Sequence, residues 1–155
     1  MAYMAAGNSF FGYPRGFEIK DSETIMEIIK CSLSEYYTKS LILDLYRAWP
    51  QAFIVYDNFD SVVGFIIGAK YSGTEGRILL FAVRQEFRFA GIGKALLTQE
   101  LNVMVRAGLS TVRLEVRTDN ENGIKFYKRN GFSIISTLKN YYSDLSDAYL
   151  MWKII

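Results

Sequence analysis

The stretch Arg88-Phe89-Ala90-Gly91-Ile92-Gly93-Lys94 combines two closely spaced glycines with cationic side chains, a composition suited to holding an anion. It follows a β-rich run ending at Val83 and opens an amphipathic run, so it falls at a strand-to-helix turn. Glycines at such a turn let backbone N–H groups approach a phosphate, and the helix N-terminus adds its partial positive charge. Arg84, Arg88 and Lys94 supply further positive charge nearby. Two better-known phosphate loops fail on these residues. A Walker A loop ending in Gly93-Lys94 needs Gly where Arg88 stands and Ser or Thr where Ala95 stands. A dinucleotide fingerprint starting at Gly91 needs Gly or Ala where Leu96 stands. Taken alone, the pair of glycines is also compatible with an ordinary tight turn.

Proton chemistry has two candidates. Between Thr111 and Arg117 apolar and charged residues alternate, setting Val112, Leu114 and Val116 on one face and Arg113, Glu115 and Arg117 on the other. Glu115 can accept a proton, or it can belong to a solvated, salt-bridged face. Tyr127 can donate one, or it can pack with a satisfied hydroxyl. Asn120, just ahead of a short helical run, also fits a cap. With no His and only Cys31, the chain cannot build a His or Cys zinc site, a Ser-His-Asp triad or an internal disulfide. No metal site is expected. Cys31 reads as a small packing group, with an intermolecular bridge as the other option.

The elements that must position these groups can be read from periodicity. A helix opens at Ser22 with Ile25, Ile28, Ile29 and Leu33 on one side, and a second runs from Lys39 to Trp49, stopping at Pro50. Ala52 to Tyr56 and Val62 to Ala69 form a hairpin across Asp57-Asn58-Phe59-Asp60, and Ile78 to Val83 continues the sheet after a turn at Gly73 to Gly76. A long helix spans Gly91 to Ala107, followed by the strand Thr111 to Arg117 and a short helix from Asn122 to Asn130 closed by Gly131. Ser133 to Thr137 and Ala148 to Ile154 are the last strands. An antiparallel meander followed by a strand-helix-strand crossover implies an α/β (α+β) fold, one mixed, mostly antiparallel sheet of about seven strands with about four helices on its faces.

At 155 residues, half of them hydrophobic, the chain is long enough for one domain with a real core. The expected division is an N-terminal extension over residues 1–16 and a domain over 17–155. The extension has no assigned role or order: Phe10, Phe11 and Tyr13 in it can dock on that domain or stay mobile. The net charge of +2, from 18 basic and 16 acidic side chains, provides no global field for nucleic acid or an anionic membrane. No apolar run reaches the roughly 18 residues of a membrane helix, and the opening residues lack a signal-peptide pattern, so the expected location is cytoplasmic.

Two motifs in order then identify a family. Arg88-x-x-Gly91-x-Gly93, followed by Lys94-Ala95-Leu96-Leu97, resembles the coenzyme A pyrophosphate loop of the GNAT N-acetyltransferases. Asn120-Glu121-Asn122-Gly123-Ile124-Lys125-Phe126-Tyr127 with Gly131-Phe132 resembles the second motif of the same superfamily. Leu114-Glu115-Val116-Arg117 and the tail from Lys139-Asn140-Tyr141-Tyr142 to Asp147-Ala148-Tyr149-Leu150-Met151 are similar to the ribosomal-protein N-terminal alanine acetyltransferases and their archaeal and eukaryotic N-alpha relatives.

The resemblance implies a GNAT fold and direct transfer of the acetyl group of acetyl-CoA to the N-terminal α-amine of a protein or peptide. It implies coenzyme contacts from Phe81, Ala82, Val83, Arg88, Phe89, Ala90, Gly91, Ile92, Gly93, Lys94, Asn120 and Tyr127. Glu115 becomes the base, Tyr127 the acid for the departing thiolate, and the backbone near Phe81 to Val83 the polariser of the thioester carbonyl. Leu33, Glu35 and Tyr36 resemble a specificity loop, and Tyr141 and Tyr142 a loop covering the peptide. Arg77 stands where many archaeal and eukaryotic relatives carry a His, so no second, imidazole base is expected. A small-molecule amine as acceptor, or a non-catalytic coenzyme A-binding module, would fit the same loop. A homodimer or an auxiliary subunit is left open.

Overall fold

A computed structural model describes residues 11–155. Among them are seven strands, β1 (Tyr13–Gly16), β2 (Phe53–Asp57), β3 (Val62–Ser72), β4 (Glu75–Val83), β5 (Thr111–Arg117), β6 (Ser133–Leu138) and β7 (Ala148–Ile154). Four α-helices accompany them: α1 (Ser22–Ser32), α2 (Lys39–Ala48), α3 (Ile92–Arg106) and α4 (Glu121–Arg129). The strands form one sheet in the order β1-β2-β3-β4-β5-β7-β6. Every neighbouring pair is antiparallel except β4 and β5, which the crossover through α3 makes parallel.

Each face of the sheet is covered by a separate apolar layer. Ile25, Ile28 and Ile29, spaced three and one residues apart, give α1 a single buried stripe, which joins Ile42 of α2 over Phe53, Val55, Phe65 and Ile67. On the opposite face Ile92, Leu96, Leu97 and Met104 of α3 cover Ile54, Val63, Ile66, Val112, Leu114 and Val116. Each such side chain, once fully buried, contributes about 1.5–3 kcal/mol relative to exposure. Thr38 sets the start of α2 by accepting the Leu41 N–H on its hydroxyl at 3.1 Å.

Two boundaries differ from the sequence expectation. The sheet begins at Tyr13, inside the span assigned to the extension, because Tyr13 to Gly16 pair with Asp57 to Ile54 of β2. Arg15 fixes this edge by donating to both Asp21 oxygens, at 2.8 and 2.9 Å, and to Asp57 at 3.0 Å. Phe11 and Tyr13 stack on Phe59 with ring centroids 5.4 and 5.3 Å apart, whereas Phe10 lies outside the described residues. The second difference is in β4, which starts at Glu75 rather than Ile78. Gly76 is a strand residue and not the end of a turn, because it pairs with Lys70 of β3 and Val112 of β5, and Met104 and Leu109 pack where a side chain would be.

Gly68 of β3 is required for a related reason. A Cβ there would collide with Glu100 Oε1 and come within 2.8 Å of Met104 Cε. Gly68→Ala is expected to destabilise the protein by about 1–3 kcal/mol, through overpacking between β3 and α3. A thermal melt followed by circular dichroism checks this, each kcal/mol corresponding to about 2–4 °C at this chain length.

Candidate active site

The site is built where two parallel strands part. β4 and β5 are paired only from Glu75 to Arg77 and from Thr111 to Arg113. Beyond those residues the backbone groups that would have joined the two strands face an open gap, where a bound molecule can take up their hydrogen bonds. β4 is also bulged: Ile78 lies opposite Gly68 and Leu80 opposite Ile67, so Leu79 has no opposite number. An extra residue in a strand reverses which face each later side chain occupies. Ile78 therefore joins the α3 layer, Leu80 and Ala82 join the α1–α2 layer, and Phe81 and Val83 turn back toward α3 and α4.

On the α3–α4 side lies a cleft of about 750 Å³, lined by Phe81, Ala82, Val83, Arg88, Phe89, Gly91, Gly93, Lys94, Asn120, Phe126, Tyr127 and Arg129 among others. Its anion-binding end is the start of α3. Gly91 holds the left-handed conformation with φ 87°, and the first bond of the helix runs from Ala95 N–H to the Gly91 carbonyl at 3.0 Å. The N–H groups of the preceding turn have no acceptor within the helix and point to the cleft's end. Arg88 Nε donates to the Val83 carbonyl at 2.9 Å, tying the loop to the end of β4. Ala90 and Ile92 are not among the lining residues, and the Ile92 side chain is buried in the core. A glycine-containing loop with cationic side chains at one end and the rings of Phe81 and Phe126 along the wall suit a long molecule with an anionic head and an apolar arm, as coenzyme A is.

On the other side a second cleft, of about 610 Å³, is lined by Leu33, Ser34, Glu35, Tyr37, Arg77, Leu79, Glu115, Arg117, Tyr141 and Tyr142 among others. Glu115 forms its floor. Its side chain is only 8% exposed, with Oε2 accepting from Arg77 Nε at 3.1 Å and Oε1 from Arg113 Nη2 at 3.4 Å. The residue is ion-paired as the salt-bridged reading expects, but it lines a cleft and is buried rather than solvated. The loop from 139 to 147 and the α1–α2 connection meet above it. The Ser143 N–H donates to Glu35 at 2.7 Å, and Arg117 reaches Ser34 at 3.1 Å and Asp144 at 2.8 Å while lying over the Tyr142 ring. Tyr36 is 89% exposed and outside the cleft lining, whereas Tyr37 lines it.

Phe81, Arg88, Asn120 and Tyr127 line both clefts. Asn120 caps α4, accepting the Gly123 N–H at 2.9 Å, and stands at the junction as well. Tyr127 packs against Phe81, Phe126 and Phe132. Its hydroxyl end lies deep in the molecule, and loss of water there raises its pKa above the ordinary phenol value. Burial likewise pushes Tyr142 up to about 12 and raises Tyr141. These phenols all keep their protons at neutral pH. Sequence reasoning did not find Tyr37 or the linking role of Arg117, although the alternation of β5 already set Arg117 on the face of Glu115.

Two clefts that share Phe81, Arg88, Asn120 and the protonated Tyr127 are an arrangement suited to a two-substrate group-transfer enzyme. The chain belongs to the acetyltransferase (GNAT) family, whose model matches residues 22–132. It is 38% identical over 140 residues to an uncharacterized N-acetyltransferase of Methanocaldococcus jannaschii, covering 90% of this chain and 89% of that protein. To the N-alpha-acetyltransferase of Sulfurisphaera tokodaii it is 31% identical over 149 residues, covering 88% and 89%. The crystal structure of Ard1 from Thermoplasma volcanium superposes with a TM-score of 0.90 at 54% identity, covering 93% of this chain and 97% of that one. An acetyl-CoA-dependent acetyltransferase of protein N-termini follows from this membership. Among the described residues no group of side chains could hold a metal ion, and no helix is long and apolar enough to cross a membrane.

Proposed function

We propose that the chain acetylates the N-terminal α-amine of protein or peptide chains within a ternary complex, with Glu115 as proton acceptor and Tyr127 as proton donor. The observation that carries this reading is the meeting of the two clefts at Tyr127. The α3 N-terminus and Lys94 hold the pyrophosphate of acetyl-CoA, so that its arm runs along Phe81 to Val83 toward the gap between β4 and β5. Backbone N–H groups of that stretch polarise the thioester carbonyl and hold the oxyanion that forms on it. An α-amine has a pKa near 8, so an appreciable fraction is neutral at pH 7, and a carboxylate acting through a water suffices to take its proton. The amine nitrogen bonds to the carbonyl carbon, the carbon–sulfur bond breaks, and the Tyr127 hydroxyl gives its proton to the departing sulfur. The loop from 139 to 147 and the α1–α2 connection cover the peptide behind its first residues.

The α-amines of nascent chains in the cytoplasm are the acceptors in this reading. Incubation of a peptide library of varied first residues with acetyl-CoA and the protein, followed by fragmentation mass spectrometry, tests it. Label on α-amines, ranked by first residue, is the expected result. Label only on polyamines or other small amines overturns it. Glu115→Gln is expected to lower kcat/KM for the best peptide by about 10²-fold, the lower end for loss of a general base, because neutral amine is already present. Acetyl-CoA binding, followed by calorimetry, stays as in the parent protein.

A further inference from the structure

Arg77 is the last residue of β4 paired to β5, so it stands at the point where the strands begin to part. Its guanidinium makes two bonds in different directions. Nε donates to Glu115 Oε2 at 3.1 Å, and Nη2 donates to the Tyr141 hydroxyl at 2.9 Å. One bond reaches a neighbouring strand, and the other reaches a loop 64 residues away in sequence. We propose that Arg77 is a positioning residue that ties the loop over the acceptor peptide to the placement of the Glu115 carboxylate.

This rests on the reading of Glu115 as proton acceptor and of the cleft as the peptide site. A guanidinium keeps its charge at any working pH and cannot act as a base itself, so its contribution is to hold two groups at once. The planar fork is what allows this, since an ammonium at the end of a lysine could serve one partner or the other but not both in fixed geometry. Arg113 keeps a contact to Glu115 on its other oxygen, so loss of Arg77 does not leave the carboxylate without a cation. Tyr141 retains the backbone bond from its N–H to the Ser146 carbonyl, 2.9 Å, which keeps the loop's own turn. Removing Arg77 therefore cuts a tie between two intact parts.

Steady-state kinetics with the best α-amine peptide, on Arg77→Met, Arg77→Lys, Tyr141→Phe and the Arg77→Met/Tyr141→Phe pair, test the coupling. Arg77→Met is expected to raise peptide KM and lower kcat, each roughly 10-fold, as expected for a lost bond to a charged group, with the acetyl-CoA KM unchanged. Tyr141→Phe should raise peptide KM alone, and the double variant should be no worse than Arg77→Met. Arg77→Lys should recover kcat but not KM. Additive losses in the double variant, or full recovery by lysine, overturn the proposal. Hydrogen exchange of the Tyr141 and Tyr142 amides provides a readout independent of any substrate. Faster exchange, equal in Arg77→Met and Tyr141→Phe, supports the tie even if the acceptor is not a peptide, and unchanged exchange in both overturns it.

Discussion

Under the proposed mechanism Tyr127→Phe is expected to lower kcat by about 10²- to 10⁴-fold, the range for loss of a positioned proton donor, and to leave the affinity for acetyl-CoA intact. The ring is retained, so its contacts with Phe81, Phe126 and Phe132 persist and both clefts keep their shape. Only the hydroxyl is lost, on a residue that lines both clefts. Because desolvation holds the phenol's pKa above its ordinary value, the group carries its proton throughout the neutral range, as the proposed donor must. Stopped-flow measurement of coenzyme A release, beside equilibrium titration with acetyl-CoA, separates chemistry from binding. An unchanged release rate would reduce Tyr127 to a packing residue and leave solvent to protonate the thiolate.

The second large effect lies away from the site, in α3. Glu100 is fully buried between α3 and β3, and neither of its carboxyl oxygens has a hydrogen-bond partner. Burial without a partner pushes its pKa up to about 9, so in the folded protein it is a neutral acid at pH 7. In the unfolded chain it ionises near the ordinary value of 4.5. Between those two values the folded state binds the proton and the unfolded state does not, so stability falls as pH rises, by at most about 1.4 kcal/mol per pH unit. Below pH 4.5 both states hold the proton and this slope disappears. Glu100→Met replaces the acid with an apolar chain of similar length, and is expected to raise stability at pH 7 by about 1–3 kcal/mol. Urea unfolding at a series of pH values between 5 and 9 should show the parent's decline and a flatter line for the variant. Parallel lines would mean that the carboxyl finds a partner in the folded state.

Much of the fold was legible because periodicity changes cleanly along the chain: α1 repeats its apolar residues as a helix does, and β5 alternates without exception. The strand-to-helix turn at Arg88 to Lys94 was legible too, and it lines a cleft, but the glycines alone read as an ordinary tight turn and only the second motif at Asn120 to Tyr127 pointed to a coenzyme. What escaped was decided by neighbours far away in sequence. Gly76 reads locally as a turn, yet pairing with Lys70 and Val112 holds it in a strand. The bulge at Leu79 interrupts no local pattern, because both faces of β4 are covered by apolar layers and either alternation is acceptable there. Arg77 was visible only as a departure from relatives. Its two partners come from another strand and a distant loop, and no spacing rule brings those three together.

The two clefts share Phe81, Arg88, Asn120 and Tyr127 and are otherwise lined by different residues. Each substrate thus has its own door. In the proposed reading, spent coenzyme can be exchanged while an acceptor chain stays seated. In inhibition experiments, a dead coenzyme analogue should compete with acetyl-CoA but reduce the maximal rate against peptide without being displaced by it.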